Sequence, residues 1–376
     1  MKVCIILPKG LPVPSVLGGA IETLMTDIID KNELYKKLDI TIASTYNEKA
    51  LEVSNKYKNT NFIYININSF KYKIKALKVR LFNIFGHHMN TYNECVLDNI
   101  KHDKYDYILV EDGAFHSFIT YLKYFKKEQM ILHFHHVGPT IGDTDKTFGK
   151  FIGVSEYVVN EFKKSSNIDK CMVLKNGIDI NKFKNNITLE EKEFIRSKYG
   201  FTMDDFVIVY CGRLIEIKGV LNLIDAVNNI PNDNIKLLLI GSGDGNYMKM
   251  INERLSSKVK LAGFINNLDV YKYYKTADIG VIPSICEDAA PLVTVEMMAS
   301  GLPLIITKSG GAPEYVSEDT IIIPKDDNII NNLKNKILYL YNNKDLLKQM
   351  SDNGINISNS YTTDNFYNTL IKTLEK

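Results

Sequence analysis

Disulfide chemistry has little to work with in this sequence. The five cysteines, Cys4, Cys95, Cys171, Cys211 and Cys286, are odd in number, scattered, and never spaced C-x-x-C. That argues against both a disulfide framework and a structural zinc site, and a reducing cytoplasm suits such thiols best. No stretch approaches the roughly 18 uninterrupted apolar residues of a membrane span. MKVCIILPKG offers one lysine and a short β-type run broken by Pro8, without the apolar region and cleavage site of a signal peptide. The expectation is a chain that neither crosses a membrane nor is exported by a leader. An excess of one charge is missing too: 46 Lys and Arg stand against 44 Asp and Glu. No global field recommends nucleic acid as a partner, and any basic surface must be local.

What is present is alternation. Short β-branched runs (KVCIILP, LDITIAS, FIYINI, YDYILVE, MILHFH, FIGVS, then FVIVYC, KLLLIG, VKLAG, ADIGVIP, LPLIIT) are separated by helical patterns along 376 residues. That grammar belongs to parallel sheets covered by helices on both faces, and the length suits two domains. The expected fold class is α/β, with two Rossmann-like domains facing across a cleft. Residues 1–185 are expected to form the first, 186–204 a polar linker and 205–355 the second, with 356–376 a helix packing back on the first through Phe366, Leu370 and Leu374. Ligands of open α/β sheets bind beyond the carboxyl ends of strands, which makes the cleft the expected site.

Two segments of the second half carry candidate chemistry. In YCGRLIEIKGV, Gly212 ends a strand and allows close backbone approach, while Arg213 and Lys218 across a tight loop can converge on one anion. A guanidinium fork and an ammonium together suit a diphosphate, although a strand end with two solvated cations reads equally well from these residues alone. In ICEDAAPLVTVEMMASG, a helix starting near Leu292 presents unpaired amides. Pro291 contributes no donor, so Leu292 and Val293 must supply them, and a phosphate is favoured there. Glu296, one turn in, can accept from a ribose diol, and Asp288 in the loop can meet hydroxyls beyond the phosphates. Glu287 reads as an exposed loop acid near a helix start.

With these residues in view, the chain resembles the retaining glycosyltransferases of family 4, which have the two-domain GT-B fold. Their acid, seven residues, then Glu stands here as Asp288 and Glu296 followed by MMASG. Further matches run through PVPSVLGGAIETL, VSE, LKNGIDINKF, GRLIEIKG, LLLIGSGDG, LAGF, YYKTADIGVIPS and SGGAPEYV. The first of these looks most like bacterial surface-polysaccharide and spore-coat-associated members. The resemblance implies that Arg213 and Lys218 hold the donor diphosphate, Glu296 the ribose and Asp288 the sugar hydroxyls. Gly263 and Phe264 fall where the backbone meets the base, and Gly18 and Gly19 where the first domain faces phosphates and acceptor. His135 corresponds to the histidine near the donor sugar, and Asn176 and Gly177 lie near the hinge. Asp288 stands where Glu is usual, which shortens its reach.

All seven histidines (His87, His88, His102, His116, His133, His135, His136) lie in the first half. His133 and His135 share a strand face, but no third residue stands at metal spacing, so no metal or other cofactor is expected. The DTD of 143–145 follows GPTIG rather than an apolar strand and reads as a polar loop. GSGDG resembles a nicotinamide fingerprint but lacks its last glycine, which disfavours a dehydrogenase. FKYKIKALKVRLFNIFG, residues 70–86, is a basic amphipathic helix. Such a helix can lie on an anionic membrane or receive a lipid diphosphate acceptor, or it can turn its apolar stripe to the core.

These readings converge on a metal-independent, retaining glycosyltransferase, cytoplasmic or peripheral on the inner face of the cell membrane. It would move a sugar from a nucleotide diphosphate donor, UDP-linked, to a glycan or lipid-linked acceptor in bacterial surface polysaccharide synthesis. The rivals are another GT-B enzyme, a sugar phosphorylase or epimerase, and a catalytically silent carbohydrate-binding coat protein.

Overall fold

Every run read as a strand forms one in the computed structural model, which describes residues 1–112, 117–138 and 144–376. His116 and Asp143 lie outside the described residues. Two compact units result, Met1–Gly177 with Thr363–Lys376, and Ile178–Thr362.

In the first unit seven parallel strands, β1 Lys2–Ile6, β2 Asp39–Thr45, β3 Thr60–Ile65, β4 Tyr107–Glu111, β5 Met130–Phe134, β6 Lys150–Gly153 and β7 Cys171–Val173, lie in the order β3-β2-β1-β4-β5-β6-β7. The side chains of β1, β2, β4, β5 and β6 are almost all buried, on both faces, so these strands read as nearly continuous apolar runs, whereas the edge strands β3 and β7 are largely half-buried. The order reverses between β1 and β4, the crevice where open α/β sheets take ligands. The helix Thr363–Glu375 belongs to this unit and packs on the helix Ala20–Tyr35, with Phe366, Leu370 and Leu374 buried as their spacing predicts. Lys31 and Tyr35 reach Asp364 at 2.6 and 2.7 Å. Buried Lys150 donates to the carbonyls of Thr373 and Leu374, both at 3.1 Å, capping the helix end.

The second unit has six parallel strands: β8 Phe206–Cys211, β9 Ile235–Ile240, β10 Val259–Gly263, β11 Ile279–Ile282, β12 Leu304–Thr307 and β13 Ile321–Ile323. Their order is β10-β9-β8-β11-β12-β13, with the switch point between β8 and β11. Among the described residues no helix is long and apolar enough to cross a membrane.

The boundaries differ from those expected. Unit 1 ends at Gly177 rather than 185, because Ile178, Ile180 and Phe183 sit in the core of unit 2. Residues 356–358 complete the helix Lys344–Ser358 of unit 2, so the return to unit 1 begins at Thr363. The expected linker 186–204 is largely the helix Leu189–Lys198, started by a capping box of Thr188 and Glu191. It is fixed to unit 2 by Arg196, whose guanidinium is 3% exposed. That group donates to the carbonyls of Thr276, Thr202, Met203 and Asp205 at 2.9–3.2 Å and to Asp278 at 3.0 Å. Arg196→Met should therefore leave four carbonyls and a carboxylate short of donors and cost unit 2 about 3 kcal/mol. Urea unfolding should show a lower midpoint with an unchanged slope; an unaltered midpoint would remove Arg196 from this role.

Candidate functional site

In unit 2 the loops leaving β8 and β11 are fastened together at the switch point. The amides of Ile285 and Cys286 both donate to the Ile217 carbonyl, at 3.0 and 3.1 Å. Gly219 makes that approach possible: its φ is 66°, and a Cβ there would stand 2.0 Å from the Pro283 carbonyl oxygen. Lys218 is thereby delivered to Asp288, and its ammonium pairs with Oδ1 with both side chains largely buried. The other carboxylate oxygen, Oδ2, is buried with no hydrogen-bond partner among the described residues. Arg213, on the same loop, is exposed and makes no ion pair among the described residues.

Asp288 is held from behind by the loop after β12. Its amide donates to Ser309 Oγ at 3.1 Å, and its carbonyl accepts from the Gly311 amide at 2.7 Å. Gly310 lies so close, with φ 50°, that a Cβ would meet the Asp288 carbonyl oxygen at 2.3 Å. Glu287 is an exposed loop acid, as read, but it has partners that the reading did not give. It pairs with Lys325 and accepts from the Gly310 amide, which clamps the two loops. The two neighbouring acids thus serve different partners, Asp288 the lysine of the loop after β8 and Glu287 this clamp.

The helix Leu292–Ala299 follows, with Pro291 as its N-cap and Leu292 and Val293 as its first residues, whose amides lack intrahelical partners. Glu296 lies on it; burial pushes its carboxyl up, opposed by the Tyr274 hydroxyl, which donates to Oε2 at 3.0 Å. Gly212 follows β8, and Gly263 closes β10. Phe264, 75% exposed, lines a cavity of about 380 Å³ together with Phe194, Ile265 and Tyr273. The structure therefore gathers Lys218, Asp288 and the Leu292 helix with Glu296 at the β8/β11 ends, and sets Gly263 and Phe264 at the end of the outermost strand.

In unit 1 Gly18 and Gly19 lead into the helix Ala20–Tyr35, Gly19 being its N-cap. Glu22, in the first turn, is buried; burial raises its carboxyl while attraction to His135 opposes the rise. At the ends of β4 and β5, His133 Nδ1 lies 2.9 Å and His135 Nε2 2.6 Å from Oε2 of Glu111. Burial works to push the Glu111 carboxyl up, but the two imidazoles outweigh it and hold it down at about 2. Burial prevails at His133 and lowers it, whereas at His135 Glu111 overcomes burial and raises it. Asp112 accepts from the His135 amide at 2.8 Å, fixing the backbone beyond the strand. Asn176 is buried and Gly177 is the last residue before the chain enters unit 2.

Glu111 is thus the third group that spacing along the chain did not reveal, and Glu111, His133 and His135 are the set among the described residues able to hold a metal. The three groups also fit as a hydrogen-bonded triad. Metal on His133 Nδ1 would leave the proton on Nε2, which is buried without a partner among the described residues, whereas a ligating histidine ordinarily donates that proton. With the proton on Nδ1 donated to Glu111, only a lone pair is left bare. Tyr274 and Lys325 were also missed, though Tyr274 stands in YYKTADIG and Lys325 answers an acid one residue from Asp288. Of the DTD, Thr144 and Asp145 begin a short helix rather than a loop, with Asp145 accepting from the Asn167 amide at 2.9 Å.

The family model for Glycosyl transferases group 1 matches residues 191–357. An uncharacterized glycosyltransferase of Methanocaldococcus jannaschii is 30% identical over 279 residues, 68% of this chain and 71% of that one. Spore coat protein SA of Bacillus subtilis is 24% identical over 372 residues, 92% of this chain and 90% of its own. The crystal structure of Anabaena HepE in complex with UDP and glucose superposes with a TM-score of 0.76 at 17% identity, covering 100% of this chain and 99% of that one, a likeness of fold. Two parallel Rossmann-like sheets of the GT-B type, the Lys218–Asp288 pair with Glu296 eight residues on, and a relative of this identity and coverage together establish that the chain belongs to the group 1 glycosyltransferases, of the family 4 type.

Proposed function

We propose that this glycosyltransferase moves a sugar from a UDP-linked donor to a glycan or lipid-linked acceptor of a bacterial surface polysaccharide, with retention at the anomeric carbon and without a metal. The observation that carries the reading is the meeting of Lys218 and Asp288 at the β8/β11 switch point, with Asp288 Oδ2 buried and without a hydrogen-bond partner among the described residues. The relatives support it: HepE was solved with UDP and glucose, and a spore coat protein matches nearly the whole chain.

On this reading Lys218, Arg213 and the Leu292 and Val293 amides hold the diphosphate, Glu296 the ribose, Gly263 and Phe264 the base, and Asp288 the sugar. The bond from the anomeric carbon to the phosphate oxygen breaks and its electron pair stays on the phosphate. The acceptor hydroxyl oxygen bonds to that carbon on the same face, and its proton passes to the departing phosphate oxygen. The cations and amides act on the charge growing there, by preorganised electrostatics. Asp288 is assigned to the sugar hydroxyls and no side chain to the anomeric carbon, which suits same-face attack without a covalent intermediate. His135, gripped by Glu111, is the residue of unit 1 that the family resemblance assigns to the donor sugar, while Gly19 lies beside buried Glu22. An acidic neighbour makes a hydroxyl a better occupant of that loop than a phosphate.

The helix Phe70–Ile84 supports a second element of this reading, attachment to an anionic membrane surface. Val79 is its one buried residue, so the apolar row is not turned to the core. Phe70, Leu77 and Ile84 are all more than 60% exposed, beside Lys71, Lys73, Lys75, Lys78 and Arg80.

Three outcomes are expected. Lys218→Ala and Arg213→Ala should each lower turnover by about 100-fold or more without loss of fold, and a chelator should leave the wild-type rate unchanged. Near-normal rates in both variants would remove the clamp, and a strict need for magnesium or manganese the metal-free mechanism. Calorimetric titration should show Glu296→Gln weakening UDP and a UDP-sugar alike, by about 1.5–3 kcal/mol. Asp288→Asn should weaken only the UDP-sugar and tighten bare UDP, because Lys218 loses its competitor; equal weakening of both ligands would contradict the assignment. Lys71, Lys75 and Lys78 replaced together by Gln should reduce sedimentation with anionic vesicles far more than with neutral ones, at about 1 kcal/mol per charge. A wild-type protein that ignores anionic vesicles would end the membrane reading.

A further inference from the structure

Beside the exposed helix Phe70–Ile84 lies a cavity of about 460 Å³ that the donor chemistry does not use. It is bounded by that helix, the end of β3 and the helix Thr91–Ile100. Lys71, Lys75, Lys78, Tyr72, Cys95 and Asp98 form its working wall. The three lysines stand at i, i+4 and i+7, one helical face, and Phe70, Ile74, Leu77 and Leu81 occupy the adjoining face one residue round. A cationic row and an apolar row therefore run side by side down the same helix.

The charge in the cavity is not cancelled. Lys75 reaches Asp98 at 2.7 Å, but the other oxygen of Asp98 is held by Lys101 at 3.1 Å, so this one acid serves two cations. Lys71 and Lys78 make no ion pair among the described residues. Lys9, on the loop after β1, adds a further positive charge 5.8 Å from the Tyr72 ring. A recess of this volume falls in the range of small-ligand sites. Cations in the recess with an unpartnered apolar row at its rim match an amphiphile: an anionic head and a hydrocarbon chain. A nucleic acid or phosphopeptide would use the cations and leave Phe70, Ile74, Leu77 and Leu81 bare to water.

We propose that this cavity is the head-group site of the acceptor, taking the phosphate or diphosphate of a lipid-linked acceptor on Lys71 and Lys78, with the chain lying along Phe70, Ile74, Leu77 and Leu81. The inference rests on the reading that the acceptor is lipid-linked, and it gives that reading a place in unit 1.

Cys95 in the cavity wall reports occupancy in the full chain without any sugar transfer. Its alkylation by N-ethylmaleimide, followed by peptide mass spectrometry with partly exposed Cys171 as the internal control, should slow about tenfold with geranyl diphosphate at ten times its dissociation constant. Geraniol should give no protection, inorganic diphosphate much less than geranyl diphosphate, and Cys171 should react at an unchanged rate throughout. Lys71→Gln with Lys78→Gln, both exposed positions, should abolish the protection, read as the ratio of Cys95 rates with and without geranyl diphosphate in the same variant, because loss of the Lys71 charge by itself slows the unliganded thiol. Inorganic diphosphate protecting as well as geranyl diphosphate would make this a free-phosphate site and overturn the lipid assignment. Equal protection by geraniol would overturn the role of the cations, and no protection by any probe would overturn the site. Sugar transfer to a lipid acceptor without Cys95 protection would sink this inference alone; protection without any transfer would sink the proposed function and leave the site standing.

Discussion

The ion pair of Lys218 with Asp288 closes the switch point of unit 2, and the surrounding backbone is organised to make it. Parallel strands on either side of a switch point send their connections to opposite faces, so the loops leaving β8 and β11 have no intrinsic reason to meet. They meet because Gly219 lets the Pro283 carbonyl approach and because Ile217 accepts two amides from across the gap. Behind Asp288, Ser309, Gly310 and Gly311 fix its backbone, and Glu287 with Lys325 fixes theirs. Three consecutive strand-end loops are thereby locked in register around one carboxylate, and the Leu292 helix starts from that fixed point.

Unit 1 solves the corresponding problem with the opposite bookkeeping of charge. There the fixed centre is an acid, Glu111, and the groups drawn to it are imidazoles on the next strand. A carboxylate buried so completely would ordinarily take a proton. Two imidazole hydrogen bonds keep it ionised, and the ionised acid in turn holds the ring of His135 in one orientation. The two histidines are driven in opposite directions although burial acts on both: His133 is also repelled by His135, whereas His135 has the shorter bond to the shared oxygen and is raised further by Asp112 and Glu22.

How much of this could be read from the chain follows from the range of each interaction. The strands were legible because sheets buried on both faces demand continuous β-branched runs; β7 and β13, three residues each, are too short for any pattern. The helix Leu189–Lys198 passed for a linker because six of the ten residues of LEEKEFIRSK are charged, and its anchor is a guanidinium bound mainly to backbone carbonyls, which leave no trace in composition. Lys218, Asp288 and Glu296 were legible as a spacing. The partners that set their geometry, Tyr274, Ser309 and Lys325, were not, since each comes from a different element, a helix for Tyr274 and the stretches after β12 and β13 for the other two. The basic helix shows the limit most plainly: its period was evident, but a period does not say which side faces in, and only the burial of Val79 alone decides that.

Aspartate at 288 has a consequence of its own. A carboxylate one methylene shorter than glutamate, on a backbone pinned by Ser309 and Gly311, reaches Lys218 with one oxygen and leaves the other in the buried space beside it. A ligand diphosphate that claims the lysine takes away the cation that pairs with that acid, and a buried carboxylate deprived of its partner is costly. A sugar hydroxyl donating to Oδ2 offsets this loss, and a nucleotide without a sugar cannot. On the proposed reading, the pair therefore disfavours the spent nucleotide relative to the complete donor. The discrimination comes from what is left unsatisfied in the wrong complex rather than from added contacts in the right one, the kind of rejection that buried polar groups achieve and apolar pockets do not.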